Sequence, residues 1–489
     1  MPELIIRQNG MSRAVPFEGT PVLDEVLEMA GIRPPHPCGG RGSCGKCAVE
    51  LFGAVSEPNA AELRAGVRLS CQAVLLGDAA VTLPEDQSVE QIETGMDVQL
   101  TALHPMPGRF GAAVDIGTTT IAVKVYNLAD GTCLGTAARL NPQTAVAADV
   151  MGRIDAAMKG GLMKLQEQVT TAIETLLQEA VQDPEKIDVL VVTGNTTMLY
   201  LLTGRDPESL SHAPFLADTL FDTEITLGGK TVYLPPCMNA FVGADITCAV
   251  LASGMCEKTE TALLCDIGTN GEMALWKDGK LYVTSTAAGP AFEGAGISCG
   301  CGSVRGAIDR VWLENGRLCV HTIGEEKAVG VCGSGLIDAV AAGLQCEEID
   351  ETGALEEDEL FLAENVSLQP RDIRAVQLAK AAIAAGMETL LETSGASMEE
   401  VQTLYIAGGF GSHLNVQSAA VIGLLPAELT GRTVILGNAA LSGTASVLLN
   451  VQEQEALRGI ASRATHVNLG GNPTFNEKYI EQMMFGEEY

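Results

Sequence analysis

Cys38, Cys44, Cys47 and Cys71 are the residues of this chain whose spacing points most directly to a chemistry. They read C-x5-C-x2-C, with the fourth cysteine 24 positions beyond the third. Three thiolates on one loop and a fourth from a separate segment can hold a [2Fe–2S] cluster, so the chemistry expected is the movement of single electrons. Gly39, Gly40, Gly42 and Gly45 lie among them. A backbone wrapped around inorganic sulfide needs open dihedrals and inward N–H groups, and glycine allows both.

A second chemistry is written twice. GAAVDIGTTTIAVKVYNLADGTCLGTA (111–137) aligns with ALLCDIGTNGEMALWKDGKLYVTSTA (262–287), so that Asp115 matches Asp266, Gly117 matches Gly268 and Thr118 matches Thr269. Each copy is an apolar strand, a D-I-G-T turn, a second strand, an Asp-Gly turn and a third strand. Such a turn suits a phosphate. The glycine lets the backbone approach, and the N–H groups and the hydroxyls of Thr118, Thr119 and Thr120 are donors. The aspartate, being anionic, must act through Mg²⁺ or through the water that attacks phosphorus. One D-x-G-T is an ordinary hairpin turn; two in matching strands predict two similar lobes facing one another.

Further glycine turns fit a nucleotide cleft. VLVVTGNTTM (189–198) is a buried strand entering a turn, which places Asn195 and Thr196 at the strand end, where open α/β sheets bind ligands. In LYIAGGFGSHLN (404–415), Gly408, Gly409 and Gly411 either lie against a nucleoside or make a tight strand–helix connection. VCGSGLIDAVAAGL (331–344) offers a helix N-terminus to an anion, or a cap by Ser334. Asp245 is either a helix cap or a contact to Mg²⁺ through water. The small residues of GNAALSGTASVLL (437–449) suit close helix packing. Glu293, Ser298, Cys299 and Cys301 fall in GPAFEGAGISCGCGSVRGAID, read as a flexible recognition loop.

These sites need elements to carry them. Residues 1–84 read as strand, strand, helix, cysteine loop, strand, short helix and strand, with Val22, Val26, Leu27 and Met29 on one side of the first helix. Residues 85–108 lack periodicity and read as a linker; 109–489 alternate strands and helices, an α/β pattern in two lobes. The acidic stretch 346–365 reads as a solvated surface. A net charge of −32 argues against nucleic acid and anionic membrane surfaces. No apolar leader or membrane-length run is visible, and scattered cysteines in apolar segments, such as Cys248, Cys265 and Cys332, read as buried thiols of a cytoplasmic protein.

The order of elements in 1–84 resembles the β-grasp ferredoxin domain. The DIGT hairpins, TGNTTM and AGGFG resemble the acetate-kinase, sugar-kinase, heat-shock ATPase and actin superfamily, in which two ribonuclease-H-like lobes close on ATP. A ferredoxin domain ahead of such an ATPase resembles the reductive activators of corrinoid-dependent methyltransferases in anaerobic bacteria. NAFVGADIT, LLCDIGTNGE, GPAFEGAGI and YIAGGFGSHLN carry that likeness. It implies that Cys38, Cys44, Cys47 and Cys71 hold the cluster, and that Asp115 and Asp266 organise Mg²⁺ and the attacking water. Gly117, Thr118, Thr119, Asn195, Gly268, Thr269 and Asn270 would receive the phosphates, and Gly408, Gly409 and Gly411 would lie near the nucleoside.

The same likeness implies ATP as cofactor, a corrinoid protein as partner, a reduced ferredoxin or flavodoxin as electron source, and a homodimer. The activity implied is return of Co(II) to Co(I). A plant-type cluster sits near about −400 mV. A cobalt couple ~0.1–0.2 V lower makes the transfer uphill by roughly 2–5 kcal/mol, which nucleotide binding must offset. The alternative is an activator of another redox enzyme, such as a radical dehydratase.

Overall fold

A computed structural model of the chain describes residues 1–8, 11–32, 34, 42, 47–65, 67–83, 102–409 and 413–486. Cys38, Cys44, Gly411 and most of the stretch read as a linker lie outside them. The chain forms two units, Met1–Ser88 with Pro142–Gln168, and Val89–Asn141 with Val169–Tyr489.

In the first unit, β1 (Glu3–Gln8) and β2 (Met11–Pro16) form a hairpin. α1 (Leu23–Met29) follows, then β3 (Ala48–Val55), α2 (Ala60–Ala65), β4 (Arg68–Leu69) and β5 (Leu75–Thr82). The sheet order is β2-β1-β5-β3-β4, with β5 parallel to β1 and antiparallel to β3. This is the β-grasp arrangement expected. α1 buries Leu23, Val26 and Leu27, the i, i+3, i+4 stripe of a helix that starts at Leu23. Met29 falls off that stripe and is exposed, contrary to the sequence reading. Leu4, Ile6, Phe17, Leu51 and Val81 complete the core. From the second segment, α3 (Val150–Ala156) belongs to this unit, and Lys164 pairs with Glu28 at 3.4 Å.

The second unit holds two six-stranded sheets. The first comprises β6 (Phe110–Ile116), β7 (Thr120–Asn127), β8 (Cys133–Leu140), β9 (Ile187–Gly194), β10 (Thr223–Leu227) and β11 (Lys230–Leu234), in the order β10-β11-β9-β6-β7-β8. α4 (Leu162–Ala180) precedes β9, and α5 (Thr196–Thr203) and α6 (Ala244–Ser253) follow their strands. The second sheet comprises β12 (Thr261–Ile267), β13 (Gly271–Lys277), β14 (Lys280–Thr286), β20 (Val401–Ala407), β21 (Thr433–Gly437) and β22 (Ala464–His466), in the order β21-β20-β12-β13-β14-β22.

Each sheet is an antiparallel three-strand meander with parallel strands added beside its first strand. That shared plan is the structural form of the sequence repeat. The Asp278–Gly279 turn closes its hairpin in two residues, with φ of 51° and 77°, as a primed turn requires.

Between β14 and β20 lie β15 (Ala307–Glu314), β16 (Arg317–Thr322), β17 (Gly330–Val331) and α7 (Gly333–Gln345), then β18 (Leu360–Ala363), β19 (Val366–Leu368) and the buried α8 (Pro370–Ser394). The acidic stretch is largely exposed, and β18 begins within it. α9 (Val416–Val421), α10 (Ala439–Leu449), α11 (Glu453–Arg463) and α12 (Pro473–Glu481) complete the chain. α10 packs against α6 as its small residues predicted; a Cβ at Gly443 would meet the Cys248 carbonyl oxygen at 2.0 Å. Residues at the end of the predicted linker are held by α10, with His104 N–H on Leu449 O and Met106 N–H on Leu448 O.

Candidate functional site

Cys47 and Cys71 bring their sulfurs to 3.2 Å without a disulfide. Backbone pairing sets this approach, because the Ser70 N–H donates to the Cys47 carbonyl at 2.9 Å. Glu62 fixes the segment from behind. It accepts from Asn59 N–H and Arg68 Nε at 2.9 Å each, and from Leu69 N–H at 3.1 Å. Asn59 Oδ1 in turn accepts from the Glu62 N–H at 3.1 Å, closing a capping box at α2. Gly42 takes φ 70°, the open conformation expected of the cysteine loop. Burial, then the adjacent Cys47 sulfur, pushes the Cys71 thiol up to about 12. Two close, shielded thiols fit a thiophilic metal centre, which replaces their protons on binding. The donor set thus fits an iron–sulfur cluster.

The two D-I-G-T turns meet. Thr119 Oγ1 lies 3.4 Å from Thr269 Oγ1, and both hydroxyls donate to the Glu293 carboxylate, at 2.6 and 2.8 Å. The Thr269 N–H donates to the other Glu293 oxygen at 3.1 Å. Asn195 Nδ2 donates to Thr118 Oγ1 at 3.1 Å while Asn195 Oδ1 caps α5 through Met198 N–H, so a strand-end residue reaches the first turn as expected. Thr196 instead spends its hydroxyl on the Asn239 carbonyl. Buried Asn141, unremarked in the sequence, clamps the first turn through the Gly117 and Thr119 carbonyls. The glycines are sterically required. A Cβ at Gly117 would lie 2.7 Å from Thr120 O, and one at Gly408 (φ 98°) would lie 2.8 Å from Asp266 Oδ1. Gly408 therefore backs directly onto the second aspartate, with Gly409 next in the chain. Gly268 N–H closes the second turn on Asn270 O at 3.1 Å.

The hairpins are not identical. Ile116 pairs with Ile121 but Ile267 pairs with Gly271, so the second turn is one residue shorter. Across the strands, Asp115 faces Ala122 while Asp266 faces Glu272. The second lobe thus carries an additional carboxylate, engaged by the Asn270 side chain. Asp245 adds another from α6. It is not a cap, since Gly243 holds the N-cap position and Asp245 lies in the first turn.

Burial raises Asp115 to about 6 against a 2.9 Å hydrogen bond from Asn438 Nδ2. Burial, then Asp115 and Glu293, raises Asp266 to about 7. Burial, then Asp115 and Asp266, raises Asp245 to about 8, and burial with Asp245 and Asp266 also raises Glu272. Among the described residues, no lysine or arginine pairs with these four carboxylates. Among the described residues no three acidic, cysteine or histidine side chains form a complete metal site, so a Mg²⁺ held by one or two of these carboxylates would take its other ligands from water and phosphate oxygens.

Glu293, Glu272 and Asn438 thus join the predicted Asp115, Thr118, Thr119, Asn195, Asp266, Thr269 and Asn270, with Asp245 in the second of its two expected roles. The Glu293 segment is also not the loose loop expected. Phe292 and Ile297 are buried, and Ser298 N–H and Oγ both donate to Asp372 Oδ1, at 2.8 and 3.0 Å. Two apolar anchors and a helix cap hold it. Ser334 does not cap α7; Cys332 holds that position and Ser334 Oγ donates to Asp309 O.

Fold and site define a ferredoxin-type domain joined to a two-lobed ATPase of the actin-like class. Residues 6–76 match the 2Fe-2S iron–sulfur cluster binding domain, residues 110–258 the RACo middle region, and residues 260–488 the C-terminal domain of RACo, the ASKHA domain. The corrinoid activation enzyme RamQ of Eubacterium limosum is 34% identical over 421 residues, 77% of this chain and 70% of that protein. The [Co(II) methylated amine-specific corrinoid protein] reductase of Methanosarcina barkeri is 26% identical over 418 residues, 77% of each chain. A solved structure described as a reductive activator for corrinoid, iron-sulfur protein is 27% identical, with a TM-score of 0.72 over 99% of this chain and 98% of that one. The chain belongs to the RACo family. The family's middle region coincides with the first lobe, which begins where residue 109 runs into the first hairpin.

Proposed function

We propose that this protein is an ATP-dependent reductive activator. A single electron passes from its N-terminal domain to the Co(II) of a partner corrinoid protein, giving Co(I). The observation that carries the reading is the meeting of the two D-I-G-T turns, with Thr119 and Thr269 within 3.4 Å, on a chain that also juxtaposes Cys47 and Cys71. Relatives named for corrinoid activation and corrinoid-protein reduction supply the substrate class.

When bound, the [2Fe–2S] cluster supplies electrons one at a time at low potential. Cys47 and Cys71 are two of its four proposed ligands, with Cys38 and Cys44 the others, and Gln72 Nε2 donates towards Cys71 Sγ at 3.6 Å. Asp115 and Asp266 would organise Mg²⁺ and the attacking water, with Asp245 reaching the ion through water. Thr118, Thr119, Thr269, Asn270 and the glycines of both turns would receive the phosphates. Gly408, Gly409 and Gly411 would border the nucleoside. A site touched by both sheets binds ATP best in one relative setting of the lobes, and only such differential binding can drive an uphill transfer.

A reduced ferredoxin or flavodoxin as electron source, a homodimer and a cytoplasmic setting complete the proposal. No helix among the described residues is long and apolar enough to cross a membrane. Protein mixed with a Co(II)-corrinoid partner and a reductant should develop Co(I) absorbance only with Mg-ATP. An equal rate without nucleotide contradicts the coupling.

A further inference from the structure

Glu293 occupies the ground that the phosphates need. Its carboxylate takes the hydroxyl protons of Thr119 and Thr269 and the Thr269 N–H, at 2.6 to 3.1 Å. A threonine hydroxyl has one proton to donate. A phosphoryl oxygen and Glu293 therefore cannot both be served by these donors. They are also alike in charge, acceptor character and preferred distance.

We propose that Glu293 is an internal stand-in for phosphate: it ties the two hairpin turns together until a nucleotide's phosphate oxygens take its donors and release it. The inference rests on reading the twin turns as the ATP site. Its backbone supports the exchange. Glu293 ends a short helical turn, Pro290–Glu293, bracketed by Gly289 (φ 82°) and Gly294 (φ 74°). Gly294 is fixed in kind, since a Cβ there would lie 2.3 Å from the Cys301 carbonyl oxygen. Beyond it, Ser298 is held on Asp372, the residue that closes the capping box of α8. Glu293 thus sits on a brief turn between a phosphate site and a fixed helix end, placed so that nucleotide occupancy changes what it holds.

The test is titration calorimetry of the full chain with the non-hydrolysable ATP analogue AMP-PNP, with Mg²⁺ and with EDTA, comparing wild type with Glu293→Gln. The near-isosteric amide lacks the competing charge. It should bind about tenfold tighter, equivalent to about 1.4 kcal/mol, with the larger gain in EDTA, where no cation screens the carboxylate. In the wild type, amide exchange across residues 289–298 should quicken when AMP-PNP binds, a readout needing no variant. If wild type binds AMP-PNP but Glu293→Gln binds no tighter, or keeps its affinity and loses ATP turnover, the stand-in role is overturned and Glu293 acts elsewhere in the site. If neither protein binds, the proposal and the nucleotide site on which it rests fall together.

Discussion

Glu62→Ala removes the acceptor around which the segment carrying Cys71 is built. The Glu62 side chain is 1% exposed, and its partner Arg68 only 17%. Deletion leaves the Asn59 and Leu69 N–H groups without their acceptor and a shielded guanidinium without a counter-charge. Breaking a buried pair in this way costs about 3–5 kcal/mol, a large part of the 5–15 kcal/mol that typically holds a domain. Glu62→Gln keeps an oxygen in place and should cost about 1–2 kcal/mol.

In the reconstituted full chain, the cluster's visible absorbance reports the N-terminal fold on heating. Glu62→Ala should lower that transition by about 10 °C or more, at 4–8 °C per kcal/mol for a domain of this size. It should also lower iron content, while ATP binding persists. Burial pushes Glu62 upward, but the bonds from Asn59, Arg68 and Leu69 outweigh it and the folded pKa is lowered. Its contribution is therefore full above the unfolded value of about 4.3 and is lost as pH falls through the folded pKa. The gap between wild type and Glu62→Ala should narrow below about pH 4.3. Melting of Glu62→Ala within about 2 °C of wild type, or a gap that widens in acid, would refute the reasoning.

Thr119→Val or Thr269→Val should each weaken Mg-ATP binding by about tenfold, the worth of one charge-assisted hydrogen bond, read by calorimetry with the cluster spectrum unchanged. Asp115→Asn and Asp266→Asn should each reduce ATP turnover by at least about a hundredfold in a phosphate-release assay; undiminished turnover would remove them from the reaction. Asn438→Ala should cost about 1 kcal/mol as the lost cap of α10, measured by denaturant unfolding of the second unit. It should also raise the pKa of Asp115, which loses the bond opposing burial. Cys71→Ser should diminish iron content and alter the EPR signal of the reduced protein.

The cysteine spacing and the repeated D-I-G-T turns were legible because their chemistry is local in sequence: a few residues define both the turn and its donors. The β-grasp order and the twin meanders followed from strand alternation. What sequence did not yield came from remote segments. Asn438 enters from the start of α10, a position that only packing brings beside Asp115, whereas Asp245 was legible as one of two alternatives and its place in the first turn of α6 removes the cap. Glu272 left a trace, since a three-residue turn sets it opposite Asp266 on the neighbouring strand. The glycine-rich surroundings of Glu293 suggest looseness, whereas Phe292, Ile297 and Ser298 anchor it. Met29 leaves the buried face because α1 begins at Leu23, one residue after Val22, the residue from which the sequence pattern counts its stripe. The grouping of 142–168 with the N-terminal unit has no local signature.

The most direct test of the coupling is a freeze-quench EPR experiment on the reduced protein mixed with a Co(II)-corrinoid partner. With Mg-ATP, the signals of the reduced N-terminal domain and of Co(II) should disappear together, one electron for one cobalt. Without nucleotide, or with Asp266→Asn, both should persist. Loss of both signals at the same rate in all three samples would contradict the account.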